Sequence, residues 1–421
     1  MLTSDIELED LDLWVGPRET LIQSFATLRA DAPRAFMSEL TPEGNRHGGY
    51  YALTSYSDIV EVSKRPNDFC SKFGINVGTM PPDLAEHFGS IIAMDNPRHA
   101  RIRRIVAQRF APRALDDLKA NVEILAAEII SGIAERGECD FVTEVAALLP
   151  LRIIIDMMGI PRTYEKFIFE VTNRLLGSTD PEYVPDQSRA GLRANLQAAS
   201  QELESLVREL AQERTKNPQN DLITQLVTEN ADGEKLTHQE LASFFNLLVG
   251  AGNETTRNAI SHGMLALSNN PEQRALWQGD FDRYAPGAAE EIVRFASPVL
   301  HMRRTVTADG VRLGDHEFLE GDKVVMWYFS ANRDESVFTS PDLFDIARDP
   351  NPHIAYGAAG QHFCLGAHLA RREITAAFRE IFRQLPDITA VGEPQYLRAN
   401  FIHGIKHLPC QYTPTSGRSA G

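Results

Sequence analysis

Apolar residues return every three or four positions along much of the chain, which is the repeat of an amphipathic or buried helix. The clearest stretches are residues 114–135, 187–215, 238–268 and 366–384. Short runs rich in β-branched and aromatic residues predict strands at 49–54, 302–307 and 323–327. The sequence therefore predicts a mainly α fold with small β-sheets.

The longest predicted helix begins at the segment Thr237-His238-Gln239-Glu240, which is typical of a capping box. Roughly 30 residues would make this helix about 45 Å long, enough to cross a whole domain. Its middle, Gly250-Ala251-Gly252, lowers the helix propensity. Two explanations stay open for these small residues: close packing against another helix, or contact of the backbone with something flat and bulky.

Composition indicates a globular protein, because 43% of the 421 residues are hydrophobic and no linker or repeat divides the chain. We expect a single domain over residues 1–421, with flexible ends at about 1–12 and 411–421. The excess of 58 Asp and Glu over 42 Lys and Arg argues against nucleic-acid binding. The sequence shows neither a signal peptide nor a membrane span, which predicts a cytoplasmic protein, and no coiled coil, which favours a monomer.

Four scattered cysteines argue against both a disulfide framework and a zinc site. We expect Cys70, Cys139 and Cys410 to be packing residues. Cys364 differs, because it follows a loop with Gly360 and stands just before Gly366 and a predicted helix. Glycines allow a close approach of the backbone, and the helix end should lower the thiol pKa and hold a thiolate.

The segment around Cys364 resembles the signature of the cytochrome P450 family, which reads aromatic-Gly-x-Gly-x-His/Arg-x-Cys-x-Gly before a helix. Its counterparts here are Tyr356, Gly357, His362, Cys364 and Gly366. The chain departs from the signature in having Tyr where Phe is usual and one additional residue before the cysteine. This longer loop and the segments 249–258 and 400–406 are similar to bacterial members that oxidise sterols and branched lipids.

Other family motifs occur in the expected order, so the resemblance covers about residues 50–410. They are His99-x-x-x-Arg103, Ala251-Gly252-x-Glu254-Thr255, Glu291-x-x-Arg294 and the Arg348 of Phe344-Asp-Ile-Ala-Arg348. In the family, a Glu and two Arg form a buried network, here Glu291, Arg294 and Arg348. The i, i+3 spacing of the first two places them on one helix face.

The resemblance implies heme b, held between the long central helix and the helix that follows Cys364, with the Cys364 sulfur as axial ligand to the iron. Glu254 and Thr255 would supply protons during dioxygen activation. Four cations would hold the two propionates: His99, Arg103, Arg304 and His362. Further heme contacts would come from Ala251, Gly252, Tyr356, Gly357 and Gly366.

A lipophilic substrate, such as a sterol, terpenoid or fatty acyl compound, would lie against an apolar lining. Candidates for this lining are Ile75, Val77, Met80, Ile92, Phe245, Val249, Val299, Leu300, Met302, Phe401 and Ile402. Each of them could equally belong to the core. The stretch 178–190 between two helices is predicted to be a lid hinge.

The chain contains no flavin or iron–sulfur motif, so the resemblance implies electrons from NAD(P)H through a ferredoxin reductase and a ferredoxin. A basic run could dock an acidic partner. Its candidates are those of Arg98, Arg101, Arg103, Arg104, Arg109 and Arg113 that do not bind the propionates, together with Arg371 and Arg372. These residues could also be ordinary solvated arginines. Two alternatives stay open: a peroxide-driven peroxygenase, which Glu254-Thr255 argues against, and a non-catalytic heme-thiolate sensor.

Overall fold

The computed structural model describes residues 2–40, 46–78, 90–107, 110, 112–229 and 233–416. Within these ranges the predicted mainly α architecture with small sheets is confirmed. The α-helices are Asp12–Val15 (α1), Arg18–Asp31 (α2), Tyr56–Lys64 (α3), Arg98–Ala107 (α4), Pro112–Ile133 (α5), Leu148–Met158 (α6), Glu165–Leu176 (α7), Arg189–Lys216 (α8), Leu222–Val227 (α9), His238–Asn269 (α10), Pro271–Gly279 (α11), Phe281–Ala296 (α12), Tyr328–Ala331 (α13) and Ala367–Gln384 (α14).

The strands are short and form four small sheets. They are Arg34–Leu40 (β1), Arg46–Leu53 (β2), Phe69–Cys70 (β3), Glu138–Asp140 (β4), His301–Val306 (β5), Val311–Leu313 (β6), His316–Phe318 (β7), Lys323–Trp327 (β8), Thr389–Ala390 (β9), Gln395–Tyr396 (β10), Ile405–His407 (β11) and Pro409–Gln411 (β12). The largest sheet has the order β1-β2-β8-β5-β3, with β2 and β8 parallel and the other pairs antiparallel. It brings β5, which carries Arg304, next to β3.

The long helix α10 forms the centre of the helical layer and packs against α6, α8 and α12. Its predicted capping box is present, because the Thr237 side chain accepts from the Glu240 backbone N–H and the Glu240 side chain accepts from the Thr237 N–H. Most side chains of α10 are buried on all sides of the helix. This burial explains why the apolar pattern of 238–268 extends beyond one face.

The small residues in the middle of α10 have two different surroundings. A Cβ atom on Gly252 would lie 2.8 Å from the Ile154 Cδ1 atom on α6, and one on Gly250 would lie 3.4 Å from Leu176 Cδ1 on α7. Close helix packing therefore accounts for Gly252, whereas a Cβ atom on Gly250 would make an ordinary contact with Leu176. Ala251 between them is exposed, although its helix is otherwise largely buried.

Parts of the ends that we expected to be flexible are packed. Ile6 and Leu8 are buried in a cluster with Trp14, because their apolar side chains cover the sheet. At the other end, β12 pairs with both β4 and β9, and Tyr412 is buried. Among the helices that the structure describes, none is long and apolar enough to cross a lipid bilayer.

Several buried histidines predict acid sensitivity. Burial lowers the pKa of His301 to about 4 and that of His262 to about 3. The unfolded chain binds protons at these rings below about pH 6.5, whereas the folded chain does not, so stability falls as the pH drops. From pH 7 to 5.5 we expect each ring to lower the free energy of unfolding by about 1 kcal/mol. Urea unfolding at both pH values measures this loss.

The variant His301→Gln should reduce the difference in unfolding free energy between the two pH values. The exposed His368 provides the matched control, since His368→Gln should leave the difference unchanged. An equal pH dependence in wild type and His301→Gln would show that His301 does not contribute.

Candidate functional site

A buried carboxylate orders the chain that leads to the cysteine loop. Glu291 accepts two hydrogen bonds of 2.7 Å from the Arg294 guanidinium, and Arg348 Nε lies 3.2 Å from Glu291 Oε2. Asn351 and the backbone N–H of Asp345 also donate to this carboxylate. The structure thus brings together the three residues of the predicted network, with Glu291 and Arg294 fully buried.

Cys364 stands where a tight loop enters α14. Its backbone N–H donates to the Tyr356 carbonyl at 2.8 Å, which closes the loop. Cys364 is exposed at this point of the loop, and desolvation by the protein around its sulfur raises the pKa of the thiol, although the N–H groups of Gly366 and Ala367 and the charges of Arg103 and Arg371 act in the opposite direction. The helix end therefore lowers the thiol pKa as expected, but in the protein alone desolvation by the surrounding residues outweighs it. A coordinating metal ion deprotonates such a thiol.

Two glycines shape this loop, and a third behaves differently. Gly357 has φ +86°, which other residues rarely adopt, and a Cβ atom on Gly360 would lie 2.4 Å from the Ser63 carbonyl oxygen. A Cβ atom on Gly366 would meet no protein atom within 4 Å. The expected close approach therefore applies to Gly360, whereas Gly366 borders open space.

Side chains from three distant segments meet beside the loop. The rings of His99 on α4 and His362 lie 4.5 Å apart, and Arg103 Nη2 donates to the Phe363 carbonyl at 2.7 Å. Arg304 on β5 is buried and close enough to lower the pKa of both histidines. The structure thus places all four predicted propionate ligands in one cluster.

The charges of this cluster differ from the expected four cations. Burial, with the nearby arginines, holds the pKa of His99 and of His362 below the ordinary value, so the two arginines carry the permanent charge. Among the described residues neither Arg103 nor Arg304 forms a salt bridge, and His99 Nε2 is buried without a hydrogen-bond partner. The buried Arg304 and the half-buried Arg103 therefore favour an anion beside them. The cluster therefore fits a ligand with carboxylates.

Thr255 lies on α10 one turn after the exposed Ala251. Its hydroxyl donates to the Ala251 carbonyl at 2.7 Å, which leaves the oxygen lone pairs free to accept another hydrogen bond. Thr255 is half-buried, while its neighbours Glu254 and Thr256 are buried. Ala251 and Thr255 therefore form the accessible stripe of the central helix.

Glu254 points into the protein rather than onto this stripe. Its carboxylate binds the buried Arg257 guanidinium, which also donates to Asn173 Oδ1 at 2.8 Å on α7. Burial raises the pKa of Glu254 despite the charge of Arg257, so its carboxyl group takes up a proton more readily. The sequence reasoning missed Arg257, although Glu254-x-x-Arg257 has the same helical spacing as Glu291-x-x-Arg294.

The proposed apolar lining divides into two groups. Ile75, Ile92, Val299, Met302 and Phe401 are half-buried. The core interpretation describes the buried members, which are Val77, Phe245, Val249, Leu300 and Ile402. Val299, Met302 and Phe401 also pack against buried apolar clusters, although they are half-buried. Met80 lies outside the described residues. A backbone bridge joins Val299 to Ile402, so the strand entrance and the C-terminal turn are neighbours.

Much of the basic run is neutralised within the molecule. Arg101 and Arg104 form salt bridges of 2.9 and 2.8 Å with Glu240 and Glu234, and Arg98 lies 3.7 Å from Glu240. Arg371 likewise pairs with Glu290. Arg109 and the side chain of Arg113 lie outside the described residues. An acidic partner would therefore meet less free positive charge than the sequence suggests.

Ionic contacts tie the predicted lid hinge to the C-terminal residues 397–407. Lys406 Nζ lies 3.1 Å from Asp180 and 2.7 Å from Glu182. His407 donates from Nδ1 to Asp140 at 2.6 Å and from Nε2 to Glu182 at 2.9 Å. Carboxylates only accept hydrogen bonds, so both ring nitrogens carry protons. The segment between α7 and α8 is thus latched in this structure.

The variant Glu182→Gln should loosen this latch, because it removes the charge that faces Lys406 and His407. Exchange of the backbone amides of residues 178–187 with deuterated water should rise roughly twofold to fivefold, since such an ion pair contributes roughly 0.5–1 kcal/mol. Mass spectrometry measures the exchange. Glu170→Gln, which removes an exposed partner of Lys166 on α7, is the control. Equal exchange in both variants would contradict the latch.

Comparison with known proteins places this geometry in a family. The family model of cytochrome P450 matches residues 48–386. A methyl-branched lipid omega-hydroxylase of Mycobacterium tuberculosis is 47% identical over 414 residues, which are 97% of this chain and 95% of the relative. A steroid C26-monooxygenase of Rhodococcus jostii is 38% identical over 94% of this chain and 82% of the relative.

A solved structure agrees in fold. The Mycobacterium marinum cytochrome P450 CYP268A2 in complex with pseudoionone superposes with a TM-score of 0.90 and 38% identity, over 97% of this chain and 98% of that chain. The family model spans most of the chain, and these relatives align with nearly all of it. The chain therefore belongs to the cytochrome P450 family of monooxygenases.

Proposed function

We propose that this monooxygenase binds heme b through Cys364 and hydroxylates a methyl-branched lipid, with electrons delivered by a ferredoxin and its reductase. The convergence of Arg103, Arg304, His99 and His362 beside the Cys364 loop carries the proposal. Family membership implies a heme with a cysteine thiolate ligand. Residence in the cytoplasm and a monomeric state belong to the same proposal.

The residues present fit such a cofactor. Arg103 and Arg304, which lack carboxylate partners among the described residues, would hold the two propionates together with His99 and His362. The Cys364 sulfur, which accepts hydrogen bonds from the N–H groups of Gly366 and Ala367, would bind the heme iron. The bound heme would supply the activation of dioxygen.

In this proposal Thr255 and Glu254 have different roles in proton transfer. The Thr255 hydroxyl lies on the accessible stripe of α10 and can relay a proton through its oxygen. Glu254 has a raised pKa and a buried Oε1 atom without a hydrogen-bond partner, so it can take up and release a proton. Delivery to Thr255 requires the Glu254 carboxyl to leave Arg257. One oxygen atom then enters a C–H bond and the other becomes water.

The substrate class follows from the relatives and from the lining. The methyl-branched lipid omega-hydroxylase is 47% identical and the steroid C26-monooxygenase 38% identical, so we propose the branched-lipid class first. The half-buried side chains of Ile75, Ile92, Val299, Met302 and Phe401 are apolar, as a hydrocarbon chain requires. An omega-hydroxylase oxidises the far end of a chain, so we propose that the branched end meets the stripe of Ala251 and Thr255.

Ligation by Cys364 predicts the optical spectrum of the heme-loaded protein. The reduced carbon monoxide complex should show the red-shifted Soret band of a thiolate ligand. Cys364→Ala should lose this band, because no other sulfur replaces it. Cys70→Ala, which alters a buried cysteine on β3, should keep it. A thiolate band that persists in Cys364→Ala would refute the assignment.

The variant Thr255→Ala should uncouple electron use from product formation. We expect the hydroxylated product per NAD(P)H to fall about tenfold or more, with hydrogen peroxide released instead, because the proton relay is lost. The measurement uses a methyl-branched fatty acid, a surrogate ferredoxin system, mass spectrometry of the product and a peroxide assay.

Two further variants control this experiment. Thr255→Ser keeps the hydroxyl and should retain coupling, whereas Thr256→Ala removes a buried neighbouring threonine and should not release peroxide. Unchanged coupling in Thr255→Ala would show that its hydroxyl is not the relay. Oxidation of steroids but not of branched fatty acids would overturn the proposed substrate class.

A further inference from the structure

A second carboxylate, Glu290, stands beside Glu291 on α12 and faces the flanks of the cysteine loop. His353, just before the loop, donates from Nε2 to Glu290 Oε2 at 2.7 Å. Arg371, on α14 after the loop, donates from Nη2 to the same oxygen at 3.1 Å and from Nε to Oε1. One side chain therefore joins the segments before and after Cys364.

The Arg371 cation lies close to the loop itself. Its Cζ atom is 4.5 Å from the centroid of the Tyr356 ring, a cation–π contact. The Tyr356 carbonyl in turn accepts the Cys364 backbone N–H at 2.8 Å. A chain of contacts thus runs from Glu290 through Arg371 and Tyr356 to Cys364.

The charges of Glu290 and Arg371 are held in place. Burial tends to raise the pKa of Glu290, but the hydrogen bonds from His353 and Arg371 outweigh it and hold the pKa well below its ordinary value. The carboxylate therefore remains ionised. The side chains of Arg371 and Glu290 are 32% and 27% exposed, so solvent screens the pair only in part.

We propose that Glu290 is a positioning residue, which clamps both flanks of the cysteine loop and holds the Arg371 charge beside the Cys364 sulfur. This inference rests on the proposed ligation by Cys364. A nearby cation stabilises negative charge on the sulfur and makes it a weaker electron donor, which raises the reduction potential of a heme ligated by it. Glu290 limits this effect by neutralising Arg371. The pair thus sets the electron-donating strength of the ligand.

The charges of Glu290 and Arg371 predict that removing one or the other shifts the reduction potential of the heme-loaded protein in opposite directions. Glu290→Gln leaves the Arg371 cation uncompensated, so the reduction potential should rise. Arg371→Gln removes the cation and leaves the Glu290 anion, so the potential should fall. The double variant removes both charges and should return towards the wild-type potential. A spectroelectrochemical titration measures all four proteins.

Matched variants separate this role from a general loss of stability. Asp282→Asn breaks a 2.6 Å salt bridge to Arg379 between the same two helices, but on the exposed surface, and should leave the potential unchanged. Arg371→Lys keeps the charge and should shift the potential less than Arg371→Gln. Should Glu290→Gln fail to bind heme, Arg371→Gln still tests the proposal, because a potential that does not fall below that of Arg371→Lys overturns it.

A rise of the potential in Glu290→Gln and a fall in Arg371→Gln, each larger than the shift of Asp282→Asn, support the proposal, and the reverse pair of shifts overturns it. Shifts of the same sign, or shifts no larger than that of Asp282→Asn, overturn it. The wild-type carbon monoxide spectrum separates this failure from that of the proposed function. A wild type without the thiolate band refutes both, whereas a thiolate band with same-sign shifts refutes only the role of Glu290.

Discussion

The buried carboxylate of Glu291 is the interaction on which the position of the cysteine loop depends. It binds Arg294 on its own helix and Arg348 and Asn351 on the chain that leads to the loop. Removing one partner of a buried ion pair typically costs about 3–5 kcal/mol, because the remaining charge stays buried. The network therefore allows few alternative paths for the chain between α13 and Cys364.

The cluster beside the loop has the opposite character. Glu291 accepts hydrogen bonds from four residues, whereas Arg103 and Arg304 form no salt bridge with a carboxylate among the described residues. Such a cluster is unfavourable for the protein alone and becomes favourable when a ligand brings anions. Glu291 thus belongs to the part of the site that orders the fold, and Arg103 and Arg304 belong to the part that would bind a ligand.

The region around the proposed apolar lining is built from elements that are far apart in the chain. Residues 397–407 contact the segment between α7 and α8 through ion pairs, and a backbone bridge from Ile402 reaches Val299 before β5. Apolar side chains and ion pairs thus both belong to this region. In the proposed function, a lipid would enter by displacing the segment between α7 and α8, which ion pairs hold to residues 406 and 407.

The sequence by itself predicted the elements and the chemistry that depends on local spacing. The apolar repeat located α10 and α14 to within about two residues, and the capping box located the start of α10, because both depend on neighbours along the chain. The motifs around Cys364, Glu291 and Thr255 predicted the family, which the comparisons confirm.

Only the tertiary structure decided which charges meet. The pairing of Glu290 with His353 and Arg371, of Arg101 with Glu240, and of Glu182 with His407 joins residues far apart in sequence, and no local spacing indicates such contacts. It also decided how much protein surrounds the Cys364 sulfur, and this desolvation raises the thiol pKa where the helix end alone suggested a lower one. Burial and long-range charge depend on the packing of the whole chain, so a pattern along the sequence does not contain them.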